Sequence, residues 1–82
     1  MNTRRKIEQI LKDKGITAES IVYDRAGPDD WSWWTVSLKP KDAEACREKL
    51  NEPEMSRAIE FCDIEEGLAL LSELPNLKIE GE

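Results

Sequence analysis

The spacing of hydrophobic residues predicts a helix near the start of the chain. Hydrophobic positions recur three and four residues apart, which places them on one helical face, at Ile7, Ile10 and Leu11. Thr3 is the expected N-cap, and Gly15 is a natural end because glycine tolerates the left-handed conformation that commonly terminates helices. We therefore expect a first helix between Thr3 and Gly15.

After this helix the pattern becomes extended. Residues 19–23 are mostly β-branched or aromatic, and residues 31–38 alternate apolar with small polar side chains. The sequence Ala-Gly-Pro-Asp-Asp at 26–30 has the composition of a turn. The pattern therefore predicts a β-hairpin over residues 19–38, which Pro40 ends.

Three further helices are predicted after the hairpin, and two of them begin at an aspartate cap. Asp42 is expected to cap the first of them, which ends before Pro53 because proline interrupts a helix. Asp63 is expected to cap the last, since Glu66 follows three residues later, as in a capping box. The buried stripe of this last helix is expected to consist of Leu68, Leu71 and Leu74.

The apolar positions of residues 55–62 fit two kinds of element. The helical spacing of Met55, Ala58, Ile59 and Cys62 favours a helix. A short strand over residues 58–62 is the alternative, because Ile59 and Phe61 also fit a two-residue alternation. We predict the helix here, which places Cys62 on its apolar face.

These elements define the predicted fold class, which is α+β in a single domain over residues 1–82. A short strand at residues 77–79 is expected to add to the hairpin 19–38 and complete a small, mostly antiparallel sheet. Three or four helices are expected to pack mainly on one face of that sheet. If residues 58–62 are instead a strand, crossover connections would introduce parallel pairs.

All three tryptophans fall in the stretch Trp-Ser-Trp-Trp at positions 31–34. Because successive side chains of a strand point to opposite faces, Trp34 is expected to share the core face with Val36 and Leu38. Trp31 and Trp33 then share the other face. A tryptophan has a large apolar surface and is typical either of a core or of a binding surface.

If the helices cover one face only, the second tryptophan pair lies on an open face. The residue beside it across the hairpin is Val22 or Tyr23, depending on a register that the sequence does not specify. Aromatic side chains are common anchors of protein interfaces, so we predict Trp31, Trp33 and Tyr23 as partner-binding residues. In the alternative, a helix also covers this face or Trp31 belongs to the turn.

The negative charge is concentrated in the last third of the chain. The whole chain carries 18 acidic and 12 basic residues, a net charge of −6. Residues 52–82 contain nine acidic and two basic residues (net −7), whereas residues 1–51 contain nine acidic and ten basic residues (net +1). Either a solvated helical surface or a partner-binding surface explains this asymmetry. The expected acidic surface residues are Glu52, Glu54, Glu60, Asp63, Glu65, Glu66 and Glu73.

The residue types argue against catalysis. The chain has no histidine, which is the commonest general base near neutral pH. Cys46 and Cys62 are expected to be free, buried thiols on apolar helical faces with no base to activate them. Three aspartates flank the hairpin loop and are the best candidates for a cation site, but their spacing fits no calcium loop: Asp24, Asp29 and Asp30. We therefore expect no catalytic residue, metal site or cofactor.

These features favour a non-enzymatic, acidic protein-interaction module that binds another protein or a second copy of itself through an aromatic sheet face. The alternative is an acidic inhibitor that imitates nucleic acid and acts on a nucleic-acid-binding protein. In size and acidity the chain is similar to small accessory proteins of phages and mobile elements, although no motif carries that similarity.

Composition also constrains partner class and location. The acidity of the chain argues against direct binding of nucleic acid, although the N-terminal segment is basic at Arg4, Arg5 and Lys6. The sequence contains no apolar segment long enough to predict a membrane span. The basic N-terminus lacks the apolar segment that follows it in a signal peptide, so a cytoplasmic location is expected.

Overall fold

The computed structural model describes residues 2–25 and 32–78, and within them the fold is α+β, as predicted. Three helices are present: α1 (Thr3–Asp13), α2 (Pro40–Leu50) and α3 (Ile64–Ser72). Three strands are present: β1 (Ala18–Arg25), β2 (Ser32–Leu38) and β3 (Ala58–Phe61). The strands form one sheet in the order β1-β2-β3, and both pairings are antiparallel.

The predicted hairpin is formed by β1 and β2. In its register Ile21 lies opposite Val36, and Tyr23 lies opposite Trp34. The register shifts between Ala18 and Ser20, so the first strand contains an irregularity near its start. Beyond that point the ladder is regular as far as the pair Arg25 and Ser32, and the register fixes which side chains share a face.

The third strand is β3, and the helix predicted over residues 55–62 is wrong. Phe61 lies opposite Trp34 and Ile59 lies opposite Val36, so the segment pairs along the free edge of β2. A two-stranded hairpin would leave the backbone groups of that edge without partners, and β3 supplies them. The strand alternative of the sequence was therefore the correct one, to within one residue, and no parallel pair results.

The predicted C-terminal strand is wrong for the residues that the structure describes. Leu77 and Lys78 lie outside any strand, and Ile79 lies outside the described residues. The Leu77 N–H donates instead to the Lys14 carbonyl at 2.6 Å, and the Lys14 ammonium donates to the Leu74 carbonyl at 2.7 Å. The segment after α3 is thus held against the end of α1 instead of joining the sheet.

Two of the predicted helix starts need correction. Asn2, and not Thr3, caps α1, because its side-chain oxygen accepts the Arg4 N–H at 2.8 Å. α2 begins at Pro40, before the predicted cap, since proline is favourable in the first turn of a helix. Asp42 lies within that first turn and accepts the Thr17 N–H at 2.8 Å, which ties the helix to the segment before β1.

Two other helix ends agree with the prediction. Asp63 caps α3, and its carboxylate accepts the N–H groups of Glu65 and Glu66. Gly15 follows α1 with a φ of 74°, a left-handed conformation that glycine adopts without steric cost. The Ile16 N–H then donates to a carbonyl of the last helical turns, which is the hydrogen bond of a Schellman end.

All three helices and one face of the sheet contribute to a single core. The buried apolar side chains are Ile7, Leu11, Ile16, Ile21, Val36, Leu38, Ala43, Cys46, Phe61, Leu71 and Leu74. Cys46 is buried as predicted, but Cys62 is exposed between β3 and α3, so the expectation that both thiols are buried is wrong. No helix within residues 2–25 and 32–78 is long and apolar enough to cross a membrane.

Candidate functional site

The side chains of the sheet divide into two faces with different burial. The core face carries the four buried side chains of the sheet: Ile21, Val36, Leu38 and Phe61. The opposite face, here called the open face, carries Ser20, Val22, Asp24, Trp33, Thr35, Ser37, Ala58 and Glu60. None of these eight residues is buried. Among the described residues, the open face is therefore a surface of the sheet that a partner could reach.

The register places the open-face residues in rows across the three strands. Thr35, on the central strand, lies between Val22 of β1 and Glu60 of β3. Trp33 lies one step along β2 and is opposite Asp24. Directly opposite residues of an antiparallel pair have β-carbons about 5 Å apart, so these side chains are neighbours.

Two consecutive tryptophans of the stretch lie on opposite faces of the sheet. Within the part of the chain that the structure describes, Trp34 packs against the core and Trp33 does not. Trp33 is nevertheless only partly exposed. An indole that is kept at the surface without a role in the core has the properties of an interface anchor.

Tyr23 does not lie beside Trp33. Its ring packs on that of Trp34, with 4.8 Å between the ring centroids and 45° between their planes. Tyr23 thus lies on the core face, at its margin, with half of its surface exposed (50%). The neighbour of Trp33 across the hairpin is Asp24, and Val22 (43% exposed) is the apolar residue that β1 adds to the open face.

The structure therefore brings together only part of the predicted aromatic site. Trp33 is on the open face, Tyr23 is on the other side of the sheet, and Trp31 lies outside the described residues. Sequence reasoning named Val22 as one of two alternatives and did not name Asp24 for this surface. The two-residue alternation of β1 shows that Ser20, Val22 and Asp24 lie on one face, but only the register decides whether that face is the one that carries Trp33.

The seven predicted acidic surface residues are all exposed. Glu52 and Glu54 precede β3, and Glu73 follows α3. Asp63, Glu65 and Glu66 lie together at the start of α3, where they interact favourably with the positive end of the helix dipole. Of these seven residues only Glu60 lies on the open face, where it shares a surface with Trp33.

A groove of about 540 Å³ runs between α1 and β1. Its walls include the buried side chains Leu11, Ile16 and Ile21, and charged residues of both signs lie at its rim, such as Arg4 and Glu8. Its apolar floor is part of the core, and its polar residues, which carry charges of both signs, do not indicate one class of ligand. The groove therefore ranks below the open face as a candidate site.

The two cysteines have different surroundings. Burial raises the pKa of the Cys46 thiol, with a smaller contribution from the nearby Asp42 carboxylate, so this thiol stays protonated at neutral pH. Cys62 is exposed. Among residues 2–25 and 32–78 no three His, Cys, Asp or Glu side chains are grouped as metal ligands, and Asp29 and Asp30 lie outside these ranges.

Comparison with known proteins gives no relative from which a function could be carried over. No protein-family model, no curated protein and no solved structure matches this chain at a significant level.

Proposed function

We propose that this protein is a non-enzymatic interaction module that binds a partner protein through the open face of its sheet. The observation that carries the proposal is the position of Trp33, which lies partly exposed on the open face while Trp34, also partly buried, packs against the core from the other face. The exposed Val22 and the partly exposed Thr35 extend this surface across β1 and β2.

The chemistry of the open face supports binding in preference to catalysis. Its eight residues provide one indole, small apolar groups, hydroxyl groups and two carboxylates, which lie on different outer strands. General acid–base catalysis needs titratable groups within hydrogen-bonding reach of one substrate proton. An indole ring surrounded by hydroxyl and carboxylate groups is instead typical of a protein interface with a central anchor and a polar rim.

Comparative affinity capture tests the proposal. The protein is immobilised and exposed to lysate of its source cells, and quantitative mass spectrometry compares the wild type with Thr35→Arg, which places a long charged side chain at the centre of the open face. Glu44→Arg is the matched control, because Glu44 is an exposed residue of α2. We expect Thr35→Arg to lose a partner that Glu44→Arg retains. Equal capture by both variants would show that the open face is not the binding surface.

The exposed carboxylates favour a second candidate function, an acidic inhibitor that imitates nucleic acid, of the type used by phages and mobile elements. All seven acidic surface residues are exposed, and three of them cluster at the start of α3. In this case binding should weaken steeply with salt and should be lost in Glu65→Gln/Glu66→Gln. Docking through Trp33 should depend much less on salt and should not require the charges of α3.

A further inference from the structure

The open face combines an indole with negative charge on both sides. Asp24 of β1 lies directly opposite Trp33, and Glu60 of β3 lies opposite Thr35, the next residue of β2 on this face. Strands in a sheet are about 4.8 Å apart, so the two outer strands flank the central one at a combined spacing of roughly 10 Å. The two residues are also displaced by two positions, about 7 Å, along the strands, so their backbones are roughly 12 Å apart on the diagonal. Side chains of this length allow both carboxylates to reach a guanidinium group that lies over β2 between them.

Neither carboxylate is neutralised by a basic side chain within the described residues, where Arg57 and Glu19 form the one ion pair. Arg25 follows Asp24 in sequence, but strand alternation directs it to the other face of the sheet. The eight paired residues of the open face include two acidic residues and no basic one. The half-exposed Arg57–Glu19 pair, which joins the segment before β3 to β1 across β2, adds no net charge. Its charge thus complements a cation, and the net charge of −6 on the whole chain attracts a basic partner at longer range.

We propose that the open face recognises an arginine side chain of a basic partner segment, with the guanidinium stacked on the indole of Trp33 and paired with Asp24 and Glu60. This inference rests on the proposed function and specifies the chemistry of the partner. Arginine suits the site better than lysine, because its planar guanidinium stacks on an aromatic ring while its N–H groups remain free to donate to carboxylates. Tryptophan is the aromatic residue that attracts a cation most strongly.

A peptide titration followed by nuclear magnetic resonance tests this recognition. The probe is acetyl-Gly-Arg-Gly-Arg-Gly-amide, and the control probe contains citrulline at both arginine positions, which keeps the shape of the side chain and removes its charge. We expect the arginine peptide to shift the Trp33 indole N–H and the amide signals of Val22, Asp24 and Glu60, and the citrulline peptide to leave them unchanged. Equal binding of the two peptides would overturn the proposal.

Two variants separate stacking from simple charge attraction. Trp33→Ala should weaken binding of the arginine peptide roughly tenfold, which is the order expected from one desolvated cation–π contact. Asp24→Asn/Glu60→Gln should weaken it several-fold. The matched control is Glu44→Gln/Glu48→Gln, which removes the same charge from exposed positions of α2 and should retain most of the affinity. If the control weakens binding as much as the open-face double variant, the attraction is not specific to this face.

The peptide titration and the capture experiment together distinguish a failure of the arginine proposal from a failure of the proposed function. If Thr35→Arg abolishes partner capture but the arginine peptide does not bind, the open face is an interface and its partner uses a different chemistry. If Thr35→Arg leaves capture unchanged, the proposed function itself is wrong. Saturable binding of the arginine peptide that requires Trp33, together with loss of capture in Thr35→Arg, supports both proposals.

Discussion

Gly67 of α3 lies directly against the ring of Phe61 in β3. A β-carbon built at Gly67 would overlap the phenyl ring, so only glycine allows the helix to approach the strand this closely. Phe61 is buried and is one of the side chains through which β3 contributes to the core. The contact therefore fixes the distance between the last helix and the third strand.

Gly67→Ala should reduce the free energy of unfolding by about 1–3 kcal/mol, since the overlap with Phe61 outweighs the roughly 1 kcal/mol that alanine contributes to helix stability. Urea unfolding measures the change. In a Phe61→Leu background, where the ring is absent, the same substitution should be much less harmful. If Gly67→Ala instead stabilised the otherwise wild-type protein, α3 would not pack this closely on β3.

The two adjacent tryptophans should respond differently to removal. Trp34→Ala takes away a ring that packs against the core and on Tyr23, so we expect a loss of about 2–4 kcal/mol in unfolding free energy. Trp33→Ala removes a side chain from the open face and should cost about 1 kcal/mol or less. Thermal or urea unfolding of the two variants in parallel provides the comparison. Equal destabilisation would mean that both faces of β2 are buried and that Trp33 has no free surface for binding.

Leu71 is completely buried in α3 and is the strongest test of the core assignment. Leu71→Ala should cost about 2–5 kcal/mol, because it removes three carbon atoms, one methine and two methyl groups, and leaves a cavity among close-packed side chains. Leu70→Ala is the matched control, since Leu70 precedes it on the same helix and is 41% exposed. The control should change stability much less, and a similar loss in both would contradict the orientation of the helix.

The two thiols should react at very different rates. Cys62 is exposed and should be labelled rapidly by a thiol reagent in the native protein, whereas Cys46 should react only when the protein opens. Peptide mapping by mass spectrometry identifies the labelled residue. Rapid labelling of Cys46 would place it outside the core, and a protected Cys62 would contradict its exposure.

The raised pKa of Cys46 also predicts a dependence of stability on pH. A thiol whose pKa is higher in the folded than in the unfolded protein favours folding most strongly below its ordinary pKa of 9.0. That contribution is lost as the pH rises above this value, because the unfolded chain ionises more readily. The unfolding free energy of the wild type should therefore fall more steeply above pH 9 than that of Cys46→Ala. Parallel slopes would contradict this prediction.

The sequence by itself determined the elements whose signals are local. The hairpin followed from the alternation of β2, and the end of α1 at Gly15 followed from the conformational freedom of glycine. The cap at Asp63 and the burial of Leu71 were also read correctly. Capping and periodicity act within a few residues, so a single segment contains all the information that they require.

The faces on which Tyr23, Trp33 and Glu60 lie were decided by pairing between distant segments. The register placed Tyr23 opposite Trp34 and so removed it from the open face, although a shift by one residue would have reversed this result. Glu60 joined the open face only because its segment became a strand. No local pattern contains this information, because register depends on how whole strands fit together.

The segment at residues 58–61 shows the physical reason most clearly. Its apolar spacing fits a helix as well as a strand, and the helical prediction buried Cys62. Without β3 one edge of β2 would lack backbone partners; in the folded protein the segment pairs along that edge, and Ile59 and Phe61 pack toward the core on one face. Hydrogen bonding to β2 and burial against the core thus favour the strand over the helix. As a result Cys62 is exposed, and Glu60 lies on the open face on which the proposed function depends.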